Sequence, residues 1–559
     1  MMESGGAPST AHIDRFVLDR LPPAELLPDF RFDRPELAYP ARLNAAAELL
    51  DRTIAQGRGE NVAFYCADGT WRYRDLAAAA NRIAHVLVDD LGFVPGNRVL
   101  LRGLNSPVLA AIWLAVLKAG GVVVTSMPML RAREIAGMID KAAITLAFCE
   151  APLLGDMTAA QALAPLCGRV VTYSSDPADP DTELAVLAAG KPDGFDPAPT
   201  LATDPALIAF TSGTTGGPKA TTHFHRDILA IADCFPRSIL GTRESDIFLC
   251  SAPMAFTFGL GAHIIFPLRY GGASILVPTP NPDRFLDVLL QYRPTVVMTA
   301  PTAYRAMTAR ARSLDLGHVR HFVSAGEHLP IPTFEAWRSA TGKSIINGIG
   351  ATEMLHIFIS AVGDDIRPGS IGRAIPGYEA AVFDDAMQPL PPGEIGRLAV
   401  RGPTGCRYLD DPRQATYVKQ GWNLTGDACL RDEDGYIWFQ SRADEMIVSS
   451  GYNISGREVE EAVLLHPAVN ECAVVGVPDE DRGTIVKAFI VPRADASATP
   501  ELAAEIQNFV KATIAPYKYP RAIEFVPVLP RSDAGKVQRY VLRDKARNSD
   551  SNTDRGKSS

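Results

Sequence analysis

RVLLRGLNSPVLAAIWLAVLKAGGVVVTSM, residues 98–127, decides the fold class. The run RVLLRGL reads as a short buried strand. Ser106 then stands where a side-chain oxygen caps a helix, with Pro107 in the first turn, where its missing N–H costs nothing. VLAAIWLAVLKAG is apolar on almost every side, as a helix buried on all faces must be, and Gly120 supplies its stop. VVVTSM is the next strand. Strand, buried helix and second strand in this order are the grammar of an α/β fold. SILVPTP (274–280), DRFLDVLLQY (283–292) and TVVMTAP (295–301) repeat this grammar. The alternation runs from about residue 60 to residue 400, so the chain is expected to be α/β.

The pattern changes near residue 440. FQSRADEMIVSSGYNIS (439–455) leads into a helical pattern, GREVEEAVLLHPAV. Two strand patterns follow, NECAVVGVP and GTIVKAFIVPR, then an amphipathic helix, ELAAEIQNFVKATI. This α+β piece of roughly 100 residues is long enough to be a small second domain. The expected division is a large domain at 13–443 and a small one at 444–545. The ends, 1–12 and 546–559, are too polar and too poor in apolar residues to be expected to order.

Composition bounds the partners. A chain of 559 residues exceeds one compact domain, and 47% hydrophobic residues supply a large core. Fifty-five basic against 64 acidic residues leave a charge of −9, which argues against nucleic acid or an anionic membrane as the main partner. The eight cysteines are scattered, with no C-x-x-C pair. That fits a reduced, cytoplasmic setting without a disulfide framework or a zinc site. MMESGGAPSTAHIDRF lacks the basic start and apolar core of a secretion signal. The most apolar segment, 108–117, is cut off by Lys118 and is too short to cross a bilayer, so no membrane insertion is expected.

FTSGTTGGPKATTH, 210–223, has the chemistry of a phosphate cradle. Gly213, Gly216 and Gly217 open backbone shapes closed to other residues, and such loops aim several N–H groups at an anion. Ser212, Thr214 and Thr215 add hydroxyl donors, and Lys219 adds charge. The loop is not the common G-x-x-x-x-G-K-[ST] pattern, because Pro218 and Ala220 flank the lysine. The apolar run LIAF before it places it at the end of a strand, where α/β proteins bind ligands.

Four further stretches follow in order: NGIGATE (347–353), LTGD (424–427), SRADEMIVSSGYNIS (441–455) and PRSDAGK (530–536). With TSGTTGGPK they resemble the ordered motifs of the adenylate-forming enzymes, the acyl-CoA synthetases, luciferases and peptide-synthetase adenylation domains. The resemblance spans roughly residues 40–545. It implies a large N-terminal domain of α/β subdomains and a small mobile C-terminal domain. It also implies a reaction in two halves: a carboxylate attacks the α-phosphate of ATP, and a thiol, usually that of coenzyme A, then displaces AMP from the acyl-adenylate. Such chemistry gathers three anionic partners and calls for Mg2+, cationic side chains and backbone donors.

Carried over motif by motif, the resemblance assigns roles. Thr211, Ser212, Gly213, Thr214, Thr215, Gly216 and Lys219 hold the β- and γ-phosphates. Glu353 is the magnesium ligand and Thr352 touches the α-phosphate. Gly326, Glu327, Gly348 and Ile349 line the adenine slot, Ile349 standing where the family often has tyrosine. Asp427 takes the ribose hydroxyls and Arg442 contacts ribose or phosphate. Lys536 bridges the attacking carboxylate and the α-phosphate. Asp444 matches the hinge about which the C-terminal domain swings, exchanging Lys536 for a Ser450–Gly451–Tyr452 loop that lines the pantetheine tunnel. PRSDAGK also resembles the pattern that lysine acetyltransferases recognise in related synthetases, which makes Lys536 a candidate for acetylation.

For the acid, SAPMAFTFGLG (251–261), SAGEHLP (324–330) and GATEMLHIF (350–358) resemble the benzoate and 2-aminobenzoate branch of the CoA ligases. Phe256, Phe258, Gly259 and Ile357 suit a flat apolar slot. His356 falls at the ring pocket of that branch; the alternative is a core histidine bonded to backbone. Thr257 offers a hydroxyl to an ortho substituent, which favours 2-aminobenzoate over benzoate. The competing readings are a medium-chain or alicyclic acyl-CoA synthetase and a stand-alone adenylation enzyme that loads a carrier protein. The chain carries no carrier domain after Lys536, which favours free CoA as acceptor.

Overall fold

The computed structural model describes residues 9–67, 69–176, 179–211, 218–277, 281–442, 447–449, 452–454, 456–479, 483–514, 518–531 and 536–554. The larger part rests on two sheets. The first has six strands in the order Arg169–Tyr173, Leu146–Glu150, Arg98–Arg102, Val122–Ser126, Pro205–Thr211 and Lys219–Phe224. All neighbours are parallel except the last pair. Arg98–Arg102 is buried at every position, as expected of a strand covered on both faces. The expected cap is present: Ser106 Oγ accepts from the Leu109 amide at 3.2 Å, and the helix runs Pro107–Lys118. Gly120 follows at φ +79°, a conformation that glycine adopts without strain. Lys118 is buried, and its Nζ donates to Asp51 Oδ1 at 2.5 Å and to Asn81 Oδ1 at 2.6 Å. A buried ammonium is tolerated only with such partners.

The second sheet has nine strands: Arg373–Ala374, Ile357–Ser360, Ile345–Gly350, His321–Ser324, Val296–Thr299, Ile247–Cys250, Ala273–Ile275, Val62–Cys66 and Gly69–Arg72. The unit expected at 274–301 lies here, with the helix Pro282–Tyr292 capped by Asn281 Oδ1, which accepts from the Arg284 amide at 2.8 Å. Its two strands are not neighbours, because Ile247–Cys250 lies between them. One apolar cluster draws on both sheets, from Leu101 and Val123 of the first to Met298 and Val323 of the second.

A third sheet joins Glu379–Phe383, Ile395–Arg401, Trp422–Arg431, Val418–Lys419 and Ile437–Arg442. Beyond it stands the small α+β unit. Val469–Asp479 pairs antiparallel with Gly483–Pro492, which pairs parallel with Ala522–Phe525. Val459 and Val463 of the helix Gly456–Leu464 pack with Ile506 and Val510 of the helix Pro500–Thr513. Leu542 and Ala546 of the helix Arg539–Asp554 pack on a second cluster with Val475 and Phe489. That helix enters the 546–559 stretch expected to lack structure. Its first turns are anchored by burial, and extending a nucleated helix is far easier than starting one. At the other end, residues 9–12 are ordered too. The Ala11 amide donates to Asp204 at 3.2 Å and His12 is buried, so a polar segment is held by hydrogen bonds that composition does not reveal. No helix among the described residues is long and apolar enough to cross a membrane.

Candidate functional site

The glycine-rich segment joins two antiparallel strands. Thr211 and Lys219 face each other as the last pair of a hairpin that closes one edge of the six-stranded sheet. Ser212, Gly213, Thr214, Thr215 and Gly216 lie outside the described residues. The second strand of the hairpin reaches the NGIGATE segment directly: the buried His223 donates through Nε2 to the Thr352 carbonyl at 2.8 Å. Burial pulls the His223 pKa down to about 4, so the ring is neutral and donates from one nitrogen.

Glu353 sits in a short helical turn, Thr352–Met354, and is largely buried. Its Oε1 accepts from the Tyr408 hydroxyl at 2.5 Å. The Lys219 ammonium lies 5.3 Å from the centre of the Tyr408 ring, a cation–π distance. Tyr408 thus joins the lysine of the first motif to the glutamate of the second. Its segment is pinned from both sides. Arg407 donates to Asp227 at 2.6 Å and lies between the Phe30 and Phe224 rings at 4.1 and 4.0 Å. Gln414 accepts from the Tyr408 amide at 2.9 Å. No three His, Cys, Asp or Glu side chains converge as a metal cage among the described residues. The second oxygen of Glu353 is a hard ligand of the kind that holds magnesium.

Gly348 and Ile349 lie on the strand Ile345–Gly350, and a Cβ on Gly348 would meet Ile357 Cδ1 at 2.8 Å. Gly326 turns at φ +87° just after the strand His321–Ser324. Asp427 is buried on the strand Trp422–Arg431, at an irregularity in pairing where Gly426 adopts φ +77°. Bulges of this kind re-aim the next side chain. The Arg442 backbone stands directly opposite Asp427 in the ladder. Asp444, Ser450 and Gly451 lie outside the described residues, and of Tyr452 only the backbone, in the strand Tyr452–Ile454, is described.

Lys536 follows Arg531, which forms an isolated bridge with Val537. Burial raises the Glu327 pKa, while the charges of Arg531, Lys536, Arg305 and Arg539 oppose that rise. The lysine of the last motif is thus one of four cations whose charge acts on Glu327.

Two of the segments expected at the acid pocket, 251–261 and 350–358, touch each other. His356 is buried in aromatic company: Phe258 stacks at 5.7 Å and 26°, Phe235 lies at 5.7 Å, and Phe266 meets it edge-on at 4.5 Å. Burial drives its pKa down to about 3, against a weaker opposing effect of the Phe258 backbone. The Phe258 backbone is thus the polar group that acts on the ring, and no side chain donates to or accepts from its nitrogens. A Cβ on Gly261 would fall 2.6 Å from His356 Cδ2, and one on Gly259 2.0 Å from the Pro253 carbonyl oxygen, so both glycines are needed for this packing. Ile357 is buried beside it, Phe256 is exposed, and Thr257 is half-buried at the start of the helix Thr257–Leu260. A separate cavity of about 980 Å³, lined by Asp51, Trp71, Arg74 and Asp193 among others, holds none of these residues.

Sequence reasoning missed Tyr408, His223, Phe235 and Phe266. Each lies outside the quoted motifs or pockets, or at their margin, and only long-range packing makes it a neighbour of the site.

Three comparisons place this geometry. Residues 51–407 match the AMP-binding enzyme family, and residues 458–536 match the AMP-binding enzyme C-terminal domain. The chain is 35% identical over 519 residues to the benzoate–CoA ligase of Thauera aromatica, covering 91% of this chain and 97% of that one. It superposes on a crystal structure of an anthranilate CoA ligase in complex with anthranoyl-AMP with a TM-score of 0.86 at 32% identity, over 93% of this chain and 100% of the other. For a benzoate CoA ligase from Burkholderia xenovorans LB400 the TM-score is 0.81, at 32% identity over 90% and 100% of the two chains.

Proposed function

The chain belongs to the AMP-binding enzyme family as an AMP-forming acid–thiol ligase, and on that premise we propose that it joins an aromatic carboxylate, 2-aminobenzoate or benzoate, to CoA. The observation that carries this reading is His356, a neutral buried ring set among Phe235, Phe258 and Phe266. A flat apolar wall with one polar handle suits an aryl ring better than a flexible alkyl chain. The names of the ligases that the chain resembles support the same class.

In the first half-reaction a carboxylate oxygen bonds to the α-phosphorus of ATP and pyrophosphate leaves. Lys219 and the 211–217 segment hold the leaving phosphates, and Thr352 touches the α-phosphate. Bound magnesium supplies charge neutralisation at those oxygens, and Glu353, steadied by Tyr408, is the side chain that would hold it. Gly326, Glu327, Gly348 and Ile349 receive adenine, and Asp427 and Arg442 the ribose. Lys536 neutralises charge between the two reactants. In the second half the CoA sulfur bonds to the acyl carbon, AMP leaves, and the thiol proton passes to solvent. The small domain turns at Asp444, and Ser450, Gly451 and Tyr452 line the thiol's path. Acetylation of Lys536 by a lysine acetyltransferase would remove its charge and silence the first half.

The test is ATP- and magnesium-dependent AMP release with benzoate, 2-aminobenzoate, 4-hydroxybenzoate, cyclohexanecarboxylate and octanoate, with and without CoA. CoA-dependent turnover of benzoate or 2-aminobenzoate supports the proposal. A preference for octanoate or cyclohexanecarboxylate replaces the acid class, and pyrophosphate exchange without CoA-dependent turnover replaces the acceptor with a carrier protein.

A further inference from the structure

His328 stands next to Glu327 in the turn after the strand His321–Ser324, and it is gripped from the other domain. Its Nε2 donates to Glu461 Oε1 at 2.9 Å. Glu461 lies on the helix Gly456–Leu464, one turn after Arg457. Arg457 donates to the same Glu461 oxygen at 2.9 Å and to the Phe439 carbonyl of the large domain. The Phe439 ring completes the contact: His328 stacks on it at 6.1 Å and 21°, and the Arg457 guanidinium lies 5.3 Å from its centre. The side chains of His328, Arg457 and Glu461 are only 17%, 10% and 27% exposed.

The grip is not isolated. Glu471 of the small domain accepts from Arg531 at 2.5 Å and pairs with Arg305 of the large domain at 3.4 Å. Arg531 opens the segment that ends at Lys536 and bridges to Val537. The two contacts therefore hold one and the same arrangement of the domains, in which Lys536 acts electrostatically on Glu327. The first contact is the more specific. It uses a neutral imidazole, a carboxylate and a guanidinium in directed hydrogen bonds, and it buries charges that need one another. Removing Glu461 takes from both His328 and Arg457 the acceptor they share in a desolvated place, and removing His328 takes from Glu461 its bond across the domain boundary.

We propose that His328, clamped by Glu461 and Arg457, is a positioning residue that holds the small domain where Lys536 serves adenylation, and that this clamp must open before the thioester forms. The inference rests on the two-step ligase reading above, but not on which acid is used. Such a clamp stabilises one of two domain arrangements. Weakening it lowers the population of the adenylating arrangement and leaves the other more accessible.

The test separates the two half-reactions in the intact enzyme, with whichever acid turns over. Pyrophosphate exchange reports adenylation; CoA-dependent consumption of the synthetic acyl-adenylate reports thioester formation. His328→Ala and Glu461→Gln are expected to slow exchange about tenfold and to leave thioester formation unchanged or faster. His328→Gln, which keeps an N–H donor, is expected to recover part of the exchange rate. The double variant His328→Ala/Glu461→Gln is expected to be no slower than the worse single one. Equal loss in both halves, or no loss in either at an unchanged melting temperature, overturns the clamp. Wild-type protein that supports exchange with no acid overturns the ligase reading, and the clamp with it.

Discussion

The Tyr408 hydroxyl donates to Glu353 Oε1 at 2.5 Å, and both side chains are buried. Burial and the Glu353 carboxylate push the Tyr408 pKa far above the ordinary phenol value, so the tyrosine remains a donor at any physiological pH. One carboxylate oxygen is thereby committed to the protein, which fixes the direction of the other. Tyr408→Phe is expected to leave Glu353 Oε1 without this donor, at a cost of about 1–3 kcal/mol in stability. Pyrophosphate exchange measured against magnesium concentration is expected to show a raised magnesium requirement. An unchanged magnesium titration with an unchanged melting temperature would remove Tyr408 from the site.

Lys536 and Asp444 are expected to separate the two halves of the reaction. Lys536→Ala should lower adenylation by on the order of 10²–10³-fold, the usual result of deleting one electrostatic contact to a transition state. Thioester formation from supplied acyl-adenylate should survive. Asp444→Pro should do the reverse, because proline fixes the backbone torsion that a hinge must change. Acetylated Lys536 with a full adenylation rate would sink the acetylation proposal.

Gly261→Ala brings a methyl group to 2.6 Å from His356 Cδ2. The ring must shift in a crowded aromatic cage, at about 1–3 kcal/mol in stability. Turnover of aromatic acids is expected to fall at least about tenfold, the equivalent of about 1.4 kcal/mol. Steady-state kinetics across the acid panel check this; an aromatic KM that does not move would show that His356 is a core histidine only.

Acid should destabilise the fold early. His223 and His263 are held at about 4, and His225 and His356 at about 3, by burial. The unfolded chain takes up these protons near pH 6.5, whereas the native state takes them up only below pH 4. Stability is therefore full above about pH 6.5 and falls with the pH down through that window. Each ring contributes at most about 1.4 kcal/mol per pH unit. Glu461, lowered to about 2 mainly by its bonds to His328 and Arg457 against the effect of burial, adds to the loss below about pH 4.5. Thermal melts from pH 7.5 to pH 5 should show a steady decline; a flat profile would mean that these rings are not neutral in the native state.

The α/β class, the strand–helix–strand unit at 98–126 and the small α+β unit after 456 were legible because they are local. Ser106, Pro107 and Gly120 act within one turn of where they stand, and apolar periodicity reports burial without naming the partner. Residues 9–12, inside the polar stretch at the start of the chain, are described with structure, and that was not legible for the complementary reason. The Ala11 amide is held by Asp204, far along the chain, and composition cannot see that hydrogen bond.

The sequence alone determined the family, because its five motifs, from TSGTTGGPK to PRSDAGK, stand in a set order along the chain. Only the tertiary structure decided which of them touch and through whom. Tyr408 meets Glu353 from 55 residues away, Phe235 and Phe266 close on His356 from two separate helices, and His328 reaches Glu461 across the domain boundary, 133 residues distant. Such contacts depend on how sheets and domains pack. Packing is settled by shape and by the pairing of buried polar groups across the whole chain, and no local window of sequence carries it.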